Sequence, residues 1–335
     1  MLNEEISAAS QTSGACGKFG DKLFTVTVVR ARQKNAGIAG PTSNFSNAAM
    51  AGVTKKSVIE LSARPTRCAG RAYALNRICA LSIYCYYCPM SKSIMITGAG
   101  SGFGLGAARQ LHADGYRVIG VCQNEQQAQL LTTEGIESVV VDITNRQSVS
   151  QLSAYAPDVL VNNAGRGQLG PLATIPIEDV KAAFDVNVFG TLQVTQAVLP
   201  AMRKRGRGRI IIVSSIAGVF SGLLSGPYAM TKHALEAMAK SLRAEEEPYG
   251  IDVCKINPGP YSTGFNDSMV EGAESRVVEG TREAEYAAAT RERMLGNQLD
   301  PQEVVDSLVS LCVADKVPFE TFKPDNILDR YKNVK

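Results

Sequence analysis

Residues 209–232 read RIIIVSSIAGVFSGLLSGPYAMTK, and this stretch decides how the rest of the chain is interpreted. The apolar, β-branched run at 210–213 is typical of a buried strand, and two serines follow it. A Gly- and Ser-rich loop then leads to a predicted helix that begins near Tyr228. Because Tyr228 and Lys232 are four residues apart, they lie on one face of that helix.

Tyr, Lys and Ser in this arrangement suit proton transfer to a substrate oxygen. A free phenol titrates near pH ~10, too high for efficient proton transfer at neutral pH. A neighbouring ammonium favours the phenolate, so we expect Lys232 to lower the pKa of Tyr228. Ser215, thirteen residues before Tyr228, is placed to hydrogen-bond the same oxygen. Tyr-x-x-x-Lys alone is common by chance, so the preceding strand, serines and loop support the interpretation.

The stretch resembles the active-site segment of the short-chain dehydrogenase/reductase family. The resemblance implies that Tyr228 is the general acid/base, that Lys232 tunes it and holds the nicotinamide ribose, and that Ser215 positions the substrate carbonyl. Asn187, within DVNVFG (185–190), matches the family's helix Asn, which helps to anchor a proton-relay water. A helix Asn that only caps or faces solvent is the alternative.

The segment at 93–104 is interpreted as a strand followed by a glycine turn, SIMITGAGSGFG, and a helix follows it. This order is the context of dinucleotide binding, because glycines let the backbone approach a pyrophosphate and a helix N-terminus attracts anions. The spacing resembles the family's TGxxxGxG motif. The cofactor-binding residues that it implies are Gly98, Ser101, Gly102, Phe103 and Gly104.

Three further predicted strands, at 139–143, 157–161 and 251–256, each end at a segment similar to a cofactor motif of the family. NNAG follows the second of them, and a PGxxxT pattern follows the third. For Asp142, capping of a helix at Arg146 is an equally good and compatible interpretation. The cofactor-binding residues that the resemblance implies are Asp142, Ile143, Asn163, Ala164, Gly165, Pro258, Gly259 and Thr263, together with Tyr228 and Lys232.

The strand at 116–121 ends in Cys122, Gln123 and Asn124. The acidic residue expected on the ribose of NAD is absent there, and no Arg or Lys stands there for the 2′-phosphate of NADP. The sequence therefore favours NADP and leaves NAD open.

Composition excludes few classes of protein. Of the 335 residues 45% are hydrophobic and 20% charged, which is ordinary for a globular protein. The apolar run at 78–88 is too short to span a bilayer. The basic run at 203–209 lacks interleaved aromatic residues, so we interpret it as a helix C-terminus and turn, not a nucleic-acid site. Cys85 and Cys88 form a lone C-x-x-C pair without the second ligand pair that a zinc site needs, and Cys122, Cys254 and Cys312 show no metal-ligand spacing. The sequence therefore predicts no metal, reduced thiols and a cytoplasmic location.

Residues 1–89 carry 11 Lys and Arg against 4 Asp and Glu, whereas the remaining 246 residues carry 24 against 28. Only a strand-like run at 23–29 stands out. A transit peptide, a disordered extension and a segment foreign to the natural protein are the alternatives. We favour the last, because Met90 resembles a translation start directly before the first strand of the enzyme. Residues 90–335 are then a single catalytic domain.

Residues 264–297 are interpreted as a substrate lid, whose apolar residues suit a wall but also ordinary helix packing. The tail lacks the Gly-rich last strand and ending common in the family. It is similar to members that act on hydroxysteroids, retinoids or other apolar alcohols. The partners implied are a small-molecule alcohol or carbonyl substrate, with a homo-oligomer such as a dimer left open.

The sequence therefore predicts an α/β fold: a Rossmann-like, doubly wound parallel sheet with helices on both faces, in three layers. The predicted function is an NAD(P)-dependent oxidoreductase that interconverts an alcohol and a carbonyl by hydride transfer, with Tyr228 as the acid/base. A non-catalytic nucleotide sensor or scaffold on the same fold is the alternative. Intact Ser215, Tyr228, Lys232 and Asn187 argue against it.

Overall fold

The strands that carry the candidate site lie in the second of two units into which the chain divides, Met1–Met90 and Ser91–Lys335. The structure is a computed structural model and describes residues 14–19, 22–27 and 92–331. In the first unit, β1 (Gly14–Phe19) pairs antiparallel with β2 (Lys22–Thr27). The strand-like run at 23–29 overlaps β2, and the other interpretations of residues 1–89 fall outside the described residues.

The second unit contains a seven-stranded sheet in which every neighbouring pair is parallel. The strand order is β5-β4-β3-β6-β7-β8-β9, so the chain reverses direction across the sheet between β3 and β6. Ligands of such sheets bind at the carboxyl ends of the strands beside this switch point. The strands are β3 (Ser93–Thr97), β4 (Arg117–Cys122), β5 (Glu137–Val140), β6 (Val159–Asn162), β7 (Gly208–Val213), β8 (Ile251–Pro258) and β9 (Glu320–Lys323).

Helices cover both faces of the sheet. They are α1 (Gly102–Ala113), α2 (Glu125–Thr133), α3 (Arg146–Ser150), α4 (Ile177–Phe184), α5 (Thr191–Arg205), α6 (Gly226–Glu246), α7 (Phe265–Glu274), α8 (Arg282–Leu295), α9 (Gln302–Val313) and α10 (Ile327–Tyr331). In the part of the chain that the structure describes, no helix is both long enough and apolar enough to cross a membrane.

Alternating residues of the central strand β3 show why three layers form, because successive side chains of a strand point to opposite faces. Ile94 and Ile96 pack with residues of α1, α2 and α9. Met95 packs on the other face with residues of α5 and α6. The predicted doubly wound, three-layer α/β fold is thereby confirmed.

A wide turn divides the helical stretch between Ile177 and Arg205. A π-helical segment, Asp185–Gly190, separates α4 from α5. Gly190 allows this segment to approach Ile143, since a Cβ on Gly190 would lie 2.9 Å from Ile143 Cγ1. Wide turns of this kind are frequent at functional sites.

The tail forms a last strand even though it lacks the family's glycines. β9 pairs with β8, with Thr321 opposite Ile256. Its backbone also bonds the end of β8, where Gly259 N donates to Lys323 O at 2.7 Å. Without those glycines, the sequence pattern did not indicate this strand.

Candidate active site

The carboxyl ends of β3, β4, β6, β7 and β8 border one cavity of about 830 Å³. All but two of the residues implied by the family motifs lie in its wall. The exceptions, Gly104 and Asn187, are buried directly behind it. The predicted residues in the wall are Gly98, Ser101, Gly102, Phe103, Asp142, Ile143, Asn163, Ala164, Gly165, Ser215, Tyr228, Lys232, Pro258, Gly259 and Thr263.

The glycine turn between β3 and α1 is held from the neighbouring strand. Gly98 and Gly102 have φ of +65° and +51°, a region that favours glycine. Asn163 Nδ2 donates to Thr97 O at 3.0 Å and to Gly98 O at 3.2 Å. Thr97 Oγ1 in turn accepts from the backbone N–H of Asn163 and of Ala164, each at 3.0 Å. The two cofactor motifs therefore form one hydrogen-bonded unit.

The N-terminus of α1 fits the pyrophosphate of a dinucleotide. The helix is twelve residues long, its N-cap Ser101 makes no side-chain capping bond, and its first turn holds no acidic residue. First-turn N–H groups are thus free of side-chain partners at the cavity wall, where the helix dipole favours an anion. The residues present fit a nicotinamide dinucleotide.

Neutral amides line the cavity at the end of β4. Gln123 is exposed there, and its N–H donates to Gln127 Oε1 at 3.1 Å. Asn124 caps α2 by accepting from Gln127 N at 3.0 Å. Gln127 was not predicted as a wall residue, although the spacing of Asn124 and Gln127 resembles a capping box, which is a usable signal.

Asp142 lies in the wall and does not cap α3. Its Oδ1 accepts from Thr144 N at 2.9 Å and from Thr144 Oγ1 at 2.7 Å. Asn145 caps α3 instead, because its side chain directly precedes the helix and reaches the N–H groups of Gln147 and Ser148. The helix-capping interpretation of Asp142 was therefore wrong.

Ser215, Tyr228 and Lys232 converge on one side of the cavity. Ser215 follows β7, and its hydroxyl lies near enough to that of Tyr228 to lower the pKa of the phenol. Tyr228 and Lys232 lie on α6, with Lys232 Nζ 5.5 Å from the centroid of the Tyr228 ring. Lys232 Nζ donates to Val213 O at 2.9 Å, which fixes the ammonium beside the end of β7.

Burial dominates the protonation of this group. It raises the pKa of Tyr228 above its usual range, and the hydrogen bond from Ser215 offsets this only in part. Burial also lowers the pKa of Lys232 to about 8, against the charge of Glu236, which raises it. The pKa of Tyr228 is thus raised, whereas the sequence led us to expect that Lys232 would lower it. Burial removes water from the phenolate, and the neighbouring polar groups stabilise the phenolate less than water would.

Asn187 is fully engaged through its side chain. Oδ1 accepts from Arg166 N at 2.7 Å, while Nδ2 donates to Arg166 O and to Thr231 Oγ1, each at 2.9 Å. Thr231 Oγ1 donates to Tyr228 O at 2.7 Å. Asn187 therefore connects the loop after β6 to the helix that carries Tyr228 and is not a solvated helix residue.

The predicted lid forms α7 and α8 at the remaining side of the cavity. The ring of Phe265 lies 5.9 Å from that of Tyr228 and is tilted by 54°. Met269 and Met294 from the two helices pack in the same apolar cluster. The wall also contains Phe220 and Arg293, which no sequence motif indicated. Across the described ranges, no three His, Cys, Asp or Glu side chains are grouped to hold a metal ion.

Comparisons with known proteins agree with this geometry. The family model for the short chain dehydrogenases matches residues 92–274, more than half of the chain. The uncharacterized oxidoreductase YusZ of Bacillus subtilis is 36% identical over 245 residues, which cover 68% of this chain and 87% of YusZ. Retinol dehydrogenase 16 of Rattus norvegicus is 32% identical over 220 residues, covering 62% of this chain and 69% of that protein.

Among solved structures, a variant of actinorhodin polyketide ketoreductase with NADPH is similar to this chain. It is 28% identical with a TM-score of 0.62, and the match covers 71% of this chain and 97% of that one. The family match, the relatives and the shared sheet lead to one conclusion: the chain belongs to the short-chain dehydrogenase family and is an oxidoreductase.

Proposed function

We propose that the chain interconverts an alcohol and a carbonyl with a nicotinamide cofactor, and that Tyr228 transfers the proton of the substrate oxygen. The observation that carries this proposal is the convergence of Ser215, Tyr228 and Lys232 in the cavity that the glycine turn also borders. When bound, the cofactor supplies or accepts a hydride. The turn, the N-terminus of α1 and the segment after β6 would hold it.

The protonated phenol of Tyr228 suits carbonyl reduction. Because burial raises its pKa, the hydroxyl keeps its proton at neutral pH and can donate it to a carbonyl oxygen. Ser215 reaches the Tyr228 hydroxyl, so one substrate oxygen can contact both groups. Lys232, with a pKa of about 8, keeps an ammonium near the tyrosine at neutral pH.

We infer NADP as the preferred cofactor, with NAD as the alternative. Gln123 and Gln127 place neutral amides at the end of β4, where a carboxylate would repel a 2′-phosphate. The similar ketoreductase solved with NADPH supports this choice. Titration with NADPH and NADH, followed by fluorescence, tests it: at least tenfold tighter binding of NADH would overturn it.

The lid supports an apolar substrate. Phe220, Phe265, Met269 and Met294 give the cavity an apolar wall near Tyr228. Retinol dehydrogenase 16, to which the chain is similar, is named for an apolar alcohol. We therefore propose an apolar alcohol or ketone as the substrate, with small ketones as the alternative.

Replacing Tyr228 with Phe tests the function. Tyr228→Phe removes the proton donor and keeps the ring, so the turnover of carbonyl compounds should fall by ~10²–10⁴-fold. NADPH affinity should change little, because the glycine turn and the N-terminus of α1 stay intact. Tyr249→Phe, at an exposed ring outside the cavity, is the matched control. Normal turnover in Tyr228→Phe would refute the assignment.

A non-catalytic nucleotide sensor remains the second candidate and predicts a different result. Tight NADPH binding by the unmodified protein, without reduction of any compound in a panel from small ketones to long apolar aldehydes, would favour it. A cytoplasmic location and a homodimer stay predictions of the sequence. Light scattering during size-exclusion chromatography measures the oligomeric state.

The basic run at 203–209 gives little support to a nucleic-acid function. Arg203 pairs with the buried Glu246. Arg205 donates to two backbone carbonyls before β6, and Arg209 bonds Asp252 and the C-terminal end of α9. These contacts anchor α5 and the following turn within the fold.

A further inference from the structure

A buried polar network lies directly behind the proposed catalytic residues. At its centre is Glu236 on α6, one helical turn after Lys232 and 6% exposed. Its Oε1 accepts from Ser214 Oγ at 2.5 Å and from Asn257 Nδ2 at 2.7 Å. Its Oε2 forms an ion pair with the ammonium of Lys255 on β8.

The charges in this network come from three different elements. Lys255, whose side chain is 1% exposed, also pairs with Glu320 on β9, whose side chain is 39% exposed. Arg243, further along α6, stacks on the aromatic ring that precedes β9. Lys255 is thus shared between two carboxylates, and the charge of Glu236 acts both on Lys255 and on Lys232, one helical turn before it. Buried charges need such partners, since desolvation is costly.

The same network holds the backbone that carries Ser215. Asn257 Nδ2 donates to Ser215 O at 3.1 Å as well as to Glu236. Ser214, the residue before Ser215, donates directly to Glu236. Hydrogen bonds therefore hold both the side chain of Ser214 and the backbone carbonyl of Ser215.

We propose that Glu236 is a positioning residue that fixes Ser215 and keeps Lys232 charged, a proposal that rests on the function proposed above. Its hydrogen bonds to Ser214 and Asn257 hold the backbone of Ser215 in place, and its negative charge stabilises the ammonium of Lys232 on the same helix. Residues one turn apart on a helix are neighbours, so a carboxylate at 236 stabilises an ammonium at 232. The opposing effects of burial and of Glu236 on the pKa of Lys232 agree with this role.

The protonation of Lys232 can be measured without a substrate. In protein labelled with ¹³Cε-lysine, Lys232→Arg identifies the Lys232 resonance, and an NMR titration gives its pKa. Glu236→Gln removes the charge and keeps the shape, so we expect the pKa of Lys232 to fall by ~0.5–1. Glu246→Gln removes a buried carboxylate from the same helix at a site distant in sequence, and it should leave that pKa unchanged.

Two further variants keep the proposal testable if Glu236→Gln does not fold. Lys255→Met removes the cation that shares Glu236, so the pKa of Lys232 should rise. Glu236→Asp keeps the charge but shortens the side chain, so the pKa of Lys232 should hold while Ser215 loses its position. A pKa of Lys232 that neither Glu236→Gln nor Lys255→Met moves would overturn the electrostatic role.

Kinetics with NADPH and 2-decanone as the probe then test positioning. Glu236→Asp should lower kcat about tenfold and leave the pH profile unchanged. Glu236→Gln should lower kcat too, and the decline of kcat/KM on the alkaline side should begin at a lower pH. Glu246→Gln should lower thermal stability but leave kcat and the pH profile unchanged. Unchanged kcat in Glu236→Asp would refute the positioning role. If the unmodified protein reduces no carbonyl compound, the proposed function fails. The NMR titration still decides whether Glu236 raises the pKa of Lys232.

Discussion

The structure leaves no room for a side chain at Gly104. A Cβ added there would lie 2.3 Å from Gly98 O and 2.5 Å from Asn163 Nδ2. Both separations are about 1 Å shorter than van der Waals contact. Gly98 O belongs to the backbone, and Asn163 Nδ2 is held by its hydrogen bonds to the backbone of Thr97 and Gly98, so neither atom can move away without breaking contacts. Gly104→Ala must therefore push the glycine turn away from Asn163.

The cost follows from these contacts. Overpacking in a rigid site destabilises by ~1–3 kcal/mol. Weakening of the two Asn163 hydrogen bonds adds ~0.5–1.5 kcal/mol for each. The better helix propensity of Ala returns ~1 kcal/mol. We expect a net loss of about 1–5 kcal/mol in the free energy of unfolding, which lowers Tm by roughly 2–20 °C in a domain of this size.

Gly106→Ala is the matched control on the same helix. The added Cβ would lie 2.7 Å from Val305 Cγ2, a side-chain methyl that can rotate away. Its unfolding free energy should stay within ~1 kcal/mol of the unmodified protein. Thermal unfolding and fluorescence titration with NADPH measure both variants, and only Gly104→Ala should also bind the cofactor at least tenfold more weakly. Equal Tm and equal affinity in the two variants would refute the reasoning.

Two further predictions concern buried ionisable groups. Burial lowers the pKa of Lys232 to about 8 from its ordinary 10.5, so the unfolded chain binds more protons between these values and the unfolding free energy contributed by this group rises with pH. Lys232→Met should flatten that rise in denaturant titrations from pH 8 to 10, and an unchanged slope would contradict it. Burial raises the pKa of Cys254 and Cys312 to about 12, so peptide mass mapping should find both unreactive toward iodoacetamide until the protein is denatured. Rapid alkylation of either thiol in the native protein would count against a closed core.

The sequence predicted the features that depend on local pattern. Each parallel strand with a run of apolar residues was found, because strands buried on both faces are apolar throughout. The ends of such strands meet along one edge of the sheet, and the motifs that lie far apart in sequence border one cavity there. The placement of Tyr228 and Lys232 on one face of a helix could be predicted from their spacing alone.

Features that depend on distant partners were not predictable. β9 has only four residues and no glycine signal, and its pairing with β8 is what makes it a strand. The π-helical turn around Asn187 depends on contacts with Arg166 and Thr231. The direction of the Tyr228 pKa shift depends on burial by the lid and by α6, which spacing along one helix does not reveal.

The hydrogen bonds from Asn163 to the glycine turn have a consequence for engineering. The turn and the amide that braces it are 65 residues apart in sequence, and the two intervening strands, β4 and β5, lie on the opposite side of β3. A chimaera that takes only β3, the glycine turn and α1 from another dehydrogenase would therefore separate that turn from the side chain that holds it in the donor protein. Cofactor preference should transfer only when the donor fragment runs from β3 past residue 165, which makes the segment from β3 to β6 the smallest interchangeable part.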